Sequence, residues 1–213
     1  MKLRRGGVGG AAAQRAAQEL ITQSRATVLI STGFSGALAP GLDAGAIVLG
    51  ARVLACRDPQ APLAGEPLEA DAAWLEHAHQ TLVSKSMAHR SGTLVTVAEP
   101  VLTGAGKRAL GAALNALAVD MEAAAIARVA RQAKIPFFAV RTISDTVEDD
   151  LPEQVGSFLT ESGEVRVGQV AKFVLRDPRR VGALMRLKRG SDAASNGLMA
   201  AWRALLTAMP SLP

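Results

Sequence analysis

Residues 119–145 read VDMEAAAIARVARQAKIPFFAVRTISD. Ala123 to Ala133 is built from strong helix formers. Pro136 breaks the pattern, and Phe137 to Ile143 then reads as a buried strand. Two acids, Glu122 and Asp145, bracket this helix–strand unit. A unit of this kind brings residues distant in sequence to one edge of an α/β sheet.

Upstream, four glycines (Gly6, Gly7, Gly9 and Gly10) lead into an alanine-rich helix from Ala11 to Ser24. Glycine turns before a helix let backbone N–H groups approach an anion or a sugar. A flexible start to the chain would look the same. Thr27–Ser31 reads as a buried strand that ends in a glycine loop, Thr32 to Leu38. Ala46–Leu54 reads as a second strand, followed by a Pro- and Gly-bearing loop from Arg57 to Pro67. The pattern from Asp71 to Met87 is helical, and His89 falls in a loop with Arg90 and Gly92. Thr93–Ala98 is a third strand, Gly104–Leu117 a helix and Ala118–Asp120 a short strand. Beyond the quoted stretch, Glu148, Asp149 and Asp150 form an acidic turn, and Gly163 marks a hairpin-like turn. Val165–Leu175 begins a helix, and the last forty residues read as two more, split at Asp177-Pro178 and near Gly190.

Strands alternating with helices predict an α/β fold, a three-layer αβα sandwich. At 213 residues the default is a single domain, 1–213, with 170–213 a basic helical C-terminal region. Aromatics are only 3% and Tyr is absent, so the core must be Ala, Leu and Val. Cys56 is the single cysteine, which excludes an internal disulfide and fits a reducing compartment. No run of 18 apolar residues occurs, and MKLRRGGVGG lacks the apolar core of a signal peptide, so the expected location is cytoplasmic. His77 and His79 lie two apart and face different ways on a helix, so neither a metal nor another cofactor is expected. The net charge of +5 is uneven: Lys172 to Arg189 holds seven basic residues and one acid. Phe173 is the one aromatic in that run, so the tail lacks the aromatic–basic interleaving that suits nucleic acid. It would suit an anionic membrane surface through Arg179, Arg180, Arg186, Lys188 and Arg189, or a solvated helix face or subunit contact.

Three motifs together resemble a known family. VDMEAAAIARVARQAKIPFFAVRTISD is similar to the signature of the nucleoside phosphorylase/nucleosidase superfamily, especially its 5′-methylthioadenosine/S-adenosylhomocysteine nucleosidases. STGFSGALAPGLDAGAIVLG resembles the family's glycine-bearing ligand loop, and RGGVGGAAAQRAA its earlier glycine loop. ADAAWLEHA, GTLVTVAEPVLTGAGKRAL and RDPRRVGALMRLKRG resemble a hopanoid-associated branch, which implies adenosylhopane as substrate. The implied fold is the phosphorylase/hydrolase-like sandwich around a mixed sheet. This chain lacks the family's usual N-terminal strands and the acid they carry, which implies a gene start placed late, a natural short form or impaired activity.

The resemblance implies a purine nucleoside as substrate and assigns roles to eight residues. Asp145 would protonate N7 of the departing purine, with Ser144 orienting it. Glu122 would accept hydrogen bonds from the ribose hydroxyls and stabilise an oxocarbenium-like state. Met121 would pack on the sugar, Val101 and Leu102 would contact the base, and Gly36 with Ser35 would line it. Read without the family, Asp145 is equally a turn cap, Glu122 a helix N-terminal acid and Met121 core filler. Phosphorylases of the superfamily place an arginine where Ser31 stands and a serine where Phe34 stands, so water is expected as the acceptor. A phosphorolytic purine nucleoside phosphorylase would instead take phosphate as co-substrate, with cations from Arg4, Arg5, Arg25 and Arg141. The sequence is also compatible with an inactive nucleoside-binding protein or a peripheral membrane protein. Homodimers are usual in the family.

Overall fold

The computed structural model describes residues 2–59, 66–158, 160, 166–176 and 181–208. Helix α1 (Gly10–Ser24) precedes β1 (Leu29–Ala37) and β2 (Ile47–Ala55). A two-residue β3 (Leu68–Glu69) leads to α2 (Ala72–Ser84) and β4 (His89–Thr96). Then come α3 (Gly104–Leu114), β5 (Ala116–Asp120), α4 (Ala123–Ala133) and β6 (Phe137–Asp145). A 3₁₀ turn at Val155–Phe158 precedes α5 (Val167–Arg176) and α6 (Val181–Ala208).

The sheet is mixed, in the order β3-β2-β4-β5-β1-β6, with helices on its faces. β2 also pairs antiparallel with β6, from Ile47↔Thr142 to Gly50↔Ala139, so the sheet closes on itself. Closure leaves neither β2 nor β6 with a bare edge. α1 and α4 pack on one side through Ala17, Ala123, Ala124, Ala127 and Ala130. α2 and α6 cover Ile47, Leu49, Phe138 and Val140 on the other. Small side chains on the helices let them sit close to the sheet, which is how a chain poor in aromatics fills its core.

α4 matches the helix expected at Ala123–Ala133. Lys134 ends it in the left-handed conformation (φ 55°), and Pro136 starts the return. Four expectations need correction. The first strand does not stop at Ser31: β1 runs on through Gly33 and Gly36 to Ala37, because β6 and β5 hydrogen-bond both its sides. His89 is not in a loop but opens β4, opposite Ile47, and its Nε2 lies 2.8 Å from His79 Nδ1. The helix from Gly104 ends at Leu114, where Asn115 takes a left-handed turn (φ 45°). Lastly, α6 is unbroken through Gly190. The expected turn at Gly163, the break at Asp177-Pro178, and Arg179 and Arg180 lie outside the described residues, as does much of the Arg57–Pro67 loop.

Gly190 is a contact residue rather than a helix breaker. A Cβ built there would collide with the Ser144 carbonyl oxygen, so only glycine lets α6 lie on the end of β6. Gly190→Ala is therefore expected to cost about 1–3 kcal/mol by overpacking, although Ala is the better helix former by about 1 kcal/mol. Urea unfolding measures this. The exposed Gly182, with nothing nearer than 3.9 Å, serves as control, and Gly182→Ala should be neutral or slightly stabilising.

Candidate active site

β1 joins the two acids. Its residue Gly36 lies opposite Val119 of β5 on one side and Asp145 of β6 on the other. A Cβ on Gly36 would come within 2.8 Å of Asp145 Oδ2 and 3.3 Å of Val119 Cγ1. Glycine is required here by the Asp145 side chain itself. The β1–β6 register slips between Ser35 and Gly36, so Ser144 is the extra residue of a bulge. Bulges re-aim side chains near functional sites. Here Ser144 Oγ donates to Asp145 Oδ1 at 2.7 Å and lies 3.3 Å from the Ser35 carbonyl oxygen.

The other oxygen of Asp145 is held by a residue to which the sequence analysis assigned no role. Lys107 Nζ is 2.6 Å from Asp145 Oδ2, with the lysine side chain fully buried and the aspartate 13% exposed. Nζ also donates to the carbonyls of Thr146 at 3.0 Å and Asp149 at 2.8 Å. The acidic turn clamps the start of α3 around this lysine. Asp150 accepts from Gly104 N, and Arg108 donates to the Val147 carbonyl. Burial opposes the charge on Asp149, but the Thr146 N–H and O–H, Lys107 and Arg186 together bring its pKa below the ordinary value. The sequence did hold a signal for Lys107: with Gly104, Leu110 and Leu114 it occupies the inward stripe of an otherwise apolar helix face.

Glu122 sits at the entry to α4, where its Oε1 accepts from Gly9 N at 2.6 Å. That bond brings the N-terminal glycine turn to the same place. Gly9 adopts φ 89°, a conformation glycine takes without strain. Burial pushes the Glu122 carboxyl above its ordinary value; the Gly9 N–H offsets part of this, Asp120 adds to it and Arg141 opposes it.

Beneath Glu122 lies a buried ion pair. Arg141 Nε and Nη2 donate to Asp120 Oδ2 at 2.8 and 2.7 Å, with side-chain exposures of 2% and 0%. Nη2 also donates to Ser31 Oγ at 2.8 Å. Asp120 Oδ1 accepts from Thr96 Oγ1 at 2.6 Å and from the backbone N–H of Ala123 at 3.2 Å. Asp120 thus caps α4 and neutralises Arg141 at once. Arg141 faces Gly33 and Asp145 faces Gly36 across β1, three residues apart, or about 10 Å along a strand.

The remaining predicted residues fall around this axis. Met121 and Val101 both pack on the cluster of Leu38, Val95 and Leu110. The Leu102 carbonyl accepts from Leu151 N at 2.7 Å. Ser35 is buried, and its Oγ has no hydrogen-bond partner. Phe34 is 42% exposed. Ser31 Oγ is taken up by Arg141 Nη2. Arg4 pairs with Glu19. Among the described residues no group of three His, Cys, Asp or Glu could hold a metal. No described helix is long and apolar enough to cross a membrane. A separate surface depression, lined by Glu69, Asp71, Arg131, Lys134 and Phe137 among others, lies at the opposite end of β6.

A family model described as the Phosphorylase superfamily matches residues 3–176. The 5′-methylthioadenosine/S-adenosylhomocysteine nucleosidases of Shewanella denitrificans and Shewanella frigidimarina are each 27% identical over 173 residues, covering 75% of this chain and 74% of theirs. Among solved structures, the S-adenosylhomocysteine nucleosidase of Streptococcus pyogenes, in complex with 5-methylthiotubericidin, superposes with a TM-score of 0.71 at 22% identity. The match covers 96% of this chain and 78% of that one. Futalosine hydrolase of Helicobacter pylori gives 0.73 at 15% identity, with the same coverage of each chain. At these identities the structural likeness is one of fold.

Proposed function

Because the chain belongs to the phosphorylase superfamily, we propose that it cleaves the N-glycosidic bond of a 5′-substituted adenosine and releases adenine, with water as the acceptor. The observation that carries this reading is that β1 lies between the strand that leads into Glu122 and the strand that ends in Asp145, with Gly36 opposite both Val119 and Asp145, and that each carboxylate is held in place, Glu122 by Gly9 N and Asp145 by Ser144. Asp145 gives a proton to N7 as the electron pair of the C1′–N9 bond passes to the base. Ser144 fixes the carboxyl through Oδ1. Glu122 holds the ribose hydroxyls, and its negative charge favours the cationic sugar. Met121 packs on the sugar, Val101 and Leu102 flank the base, and Gly36 and Ser35 line it. No metal or cofactor enters.

Water is favoured over phosphate because Arg141 is already neutralised by Asp120, and Ser31 is bound to Arg141. The names of the relatives give 5′-methylthioadenosine and S-adenosylhomocysteine as first substrates to test. A lipid-linked adenosine such as adenosylhopane is the more specific proposal. It is supported by the exposed Phe34 of β1 and by the first half of α6, where Val181 and Met185 lie exposed beside Arg186, Lys188 and Arg189. Through Gly190 that half of α6 adjoins Ser144, so such a surface would present a bilayer substrate to the site. We propose a homodimer, cytoplasmic and membrane-associated through this surface.

Purified protein incubated with 5′-methylthioadenosine should release adenine, and chromatography reads it directly. Absence of adenine from this substrate, S-adenosylhomocysteine and adenosylhopane alike contradicts the proposal. The raised pKa of Glu122 sets an acid limit. Its charge is lost as pH falls through the folded value, which lies above the ordinary 4.5. The acid limb of kcat/KM should therefore have its midpoint above 4.5, and Glu122→Gln should abolish that limb while lowering the plateau. An unchanged limb in the variant rejects the assignment.

A further inference from the structure

Lys107 is a fully buried lysine whose three near neighbours are all acceptors: Asp145 Oδ2 at 2.6 Å and the carbonyls of Thr146 and Asp149 at 3.0 and 2.8 Å. An ammonium has three N–H donors, so the charged lysine satisfies all three. A neutral amine has two donors and one lone pair. It would satisfy the two carbonyls by donating and Asp145 by accepting from a protonated carboxyl. The pocket thus accommodates both positions of the proton without leaving a buried polar atom unpaired, which is otherwise costly. A lysine placed only for structure has no need of this property.

We propose that Lys107 is the proton reservoir of Asp145, a positioning residue that loads the carboxyl with the proton it delivers to the leaving base. This rests on the nucleosidase reading above and deepens it. The steps balance. A proton passes from Lys107 Nζ to Asp145 Oδ2, turning an ion pair into a neutral pair. The carboxyl O–H turns to N7 and gives up its proton as the C1′–N9 bond breaks and its electron pair enters the purine. Asp145 is a carboxylate again, water adds to C1′ and sheds a proton to solvent, and one proton returns through the partly exposed Asp145 to the neutral Lys107 amine, so none is gained or lost overall. The other charged groups nearby are accounted for. The Asp149 carboxylate is bound by Thr146 N and Oγ1, Asp150 by Gly104 N, and Glu148 by Arg108. Arg186 of α6 bears on Asp149. Asp145 is the only carboxylate within ion-pair distance of Nζ among the described residues.

The test has two arms. In the first, 15N-lysine-labelled protein is titrated with carbocyclic adenosine, whose base bond is inert and whose N7 accepts. The 7-deaza analogue, which lacks that acceptor, serves as comparison. The expected result is one Nζ resonance that moves from the ammonium to the amine range with the first ligand and not with the second, and that is missing in Lys107→Met. If both ligands bind and every Nζ stays ammonium, the relay is overturned and the nucleosidase reading stands. If neither binds, both fall. The second arm is kinetic. Lys107→Arg keeps a charge that cannot be released, and should lower kcat about 100-fold, the size of a general-acid contribution, with KM within about threefold. Lys107→Met should lose a similar factor in kcat. Wild-type kcat in Lys107→Arg would reduce Lys107 to a fixed charge and overturn the relay.

Discussion

Asp145→Asn is expected to lower kcat for adenine release by about 10²–10⁴-fold, the range of a lost general acid. KM should change little, because the interaction removed is made mainly in the transition state. The side chain keeps its shape and can still meet Ser144, so the sugar end of the site at Glu122 and Gly9 is undisturbed. Steady-state kinetics with 5′-methylthioadenosine measures the effect, and circular dichroism confirms the fold. A nucleoside whose base leaves without protonation should be cleaved by variant and wild type at comparable rates. Equal adenine release by the two proteins would remove Asp145 from the mechanism and return it to the role of a turn residue.

Asp120→Ala should produce the largest loss of stability, about 3–5 kcal/mol, the cost of leaving one partner of a buried ion pair alone. Arg141 is 1% exposed and has Ser31 Oγ as its other side-chain partner. Losing the cap on Ala123 N adds to the loss. Because the unpaired charge is what costs, Asp120→Ala combined with Arg141→Met should be more stable than Asp120→Ala by itself. Urea unfolding at unchanged m-value checks both. A loss under about 1 kcal/mol for Asp120→Ala would mean that Arg141 finds another anion or water, and the ion pair would not be what holds β5, β6 and α4 together.

Much of the fold was readable because local and tertiary preferences agree. Ala123–Ala133 is helical by composition and by its position on the sheet, and Phe137 onward is apolar because helices or strands cover every side of β6. Where the two disagree, the sequence misled. Gly33 and Gly36 look like a loop, yet β1 continues through them because two strands pair with it and Asp145 needs the space at Gly36. Gly190 looks like a break, yet it marks the closest approach of α6 to β6. A two-residue strand such as β3 has no periodicity to detect.

The site divides in the same way. Glu122, Ser144 and Asp145 stand out because motif and chain order carry them. Their supports leave a mark in the sequence, a glycine turn at Gly9 and a lysine on the inward stripe of α3, but what they bind could not be read, since each comes from an element distant in sequence. Asp120 was visible in the quoted stretch but read as the end of a strand. Its partner Arg141 was visible as a lone charge inside FFAVRTI, a place where only a paired arginine is tolerated.

The most direct measurement is analysis of both products from 5′-methylthioadenosine, with and without phosphate. The account predicts adenine and the free sugar, formed at the same rate in both buffers. Adenine release that requires phosphate and yields the sugar 1-phosphate would contradict water as the acceptor, and no adenine in either buffer, with S-adenosylhomocysteine and adenosylhopane equally intact, would contradict the site itself.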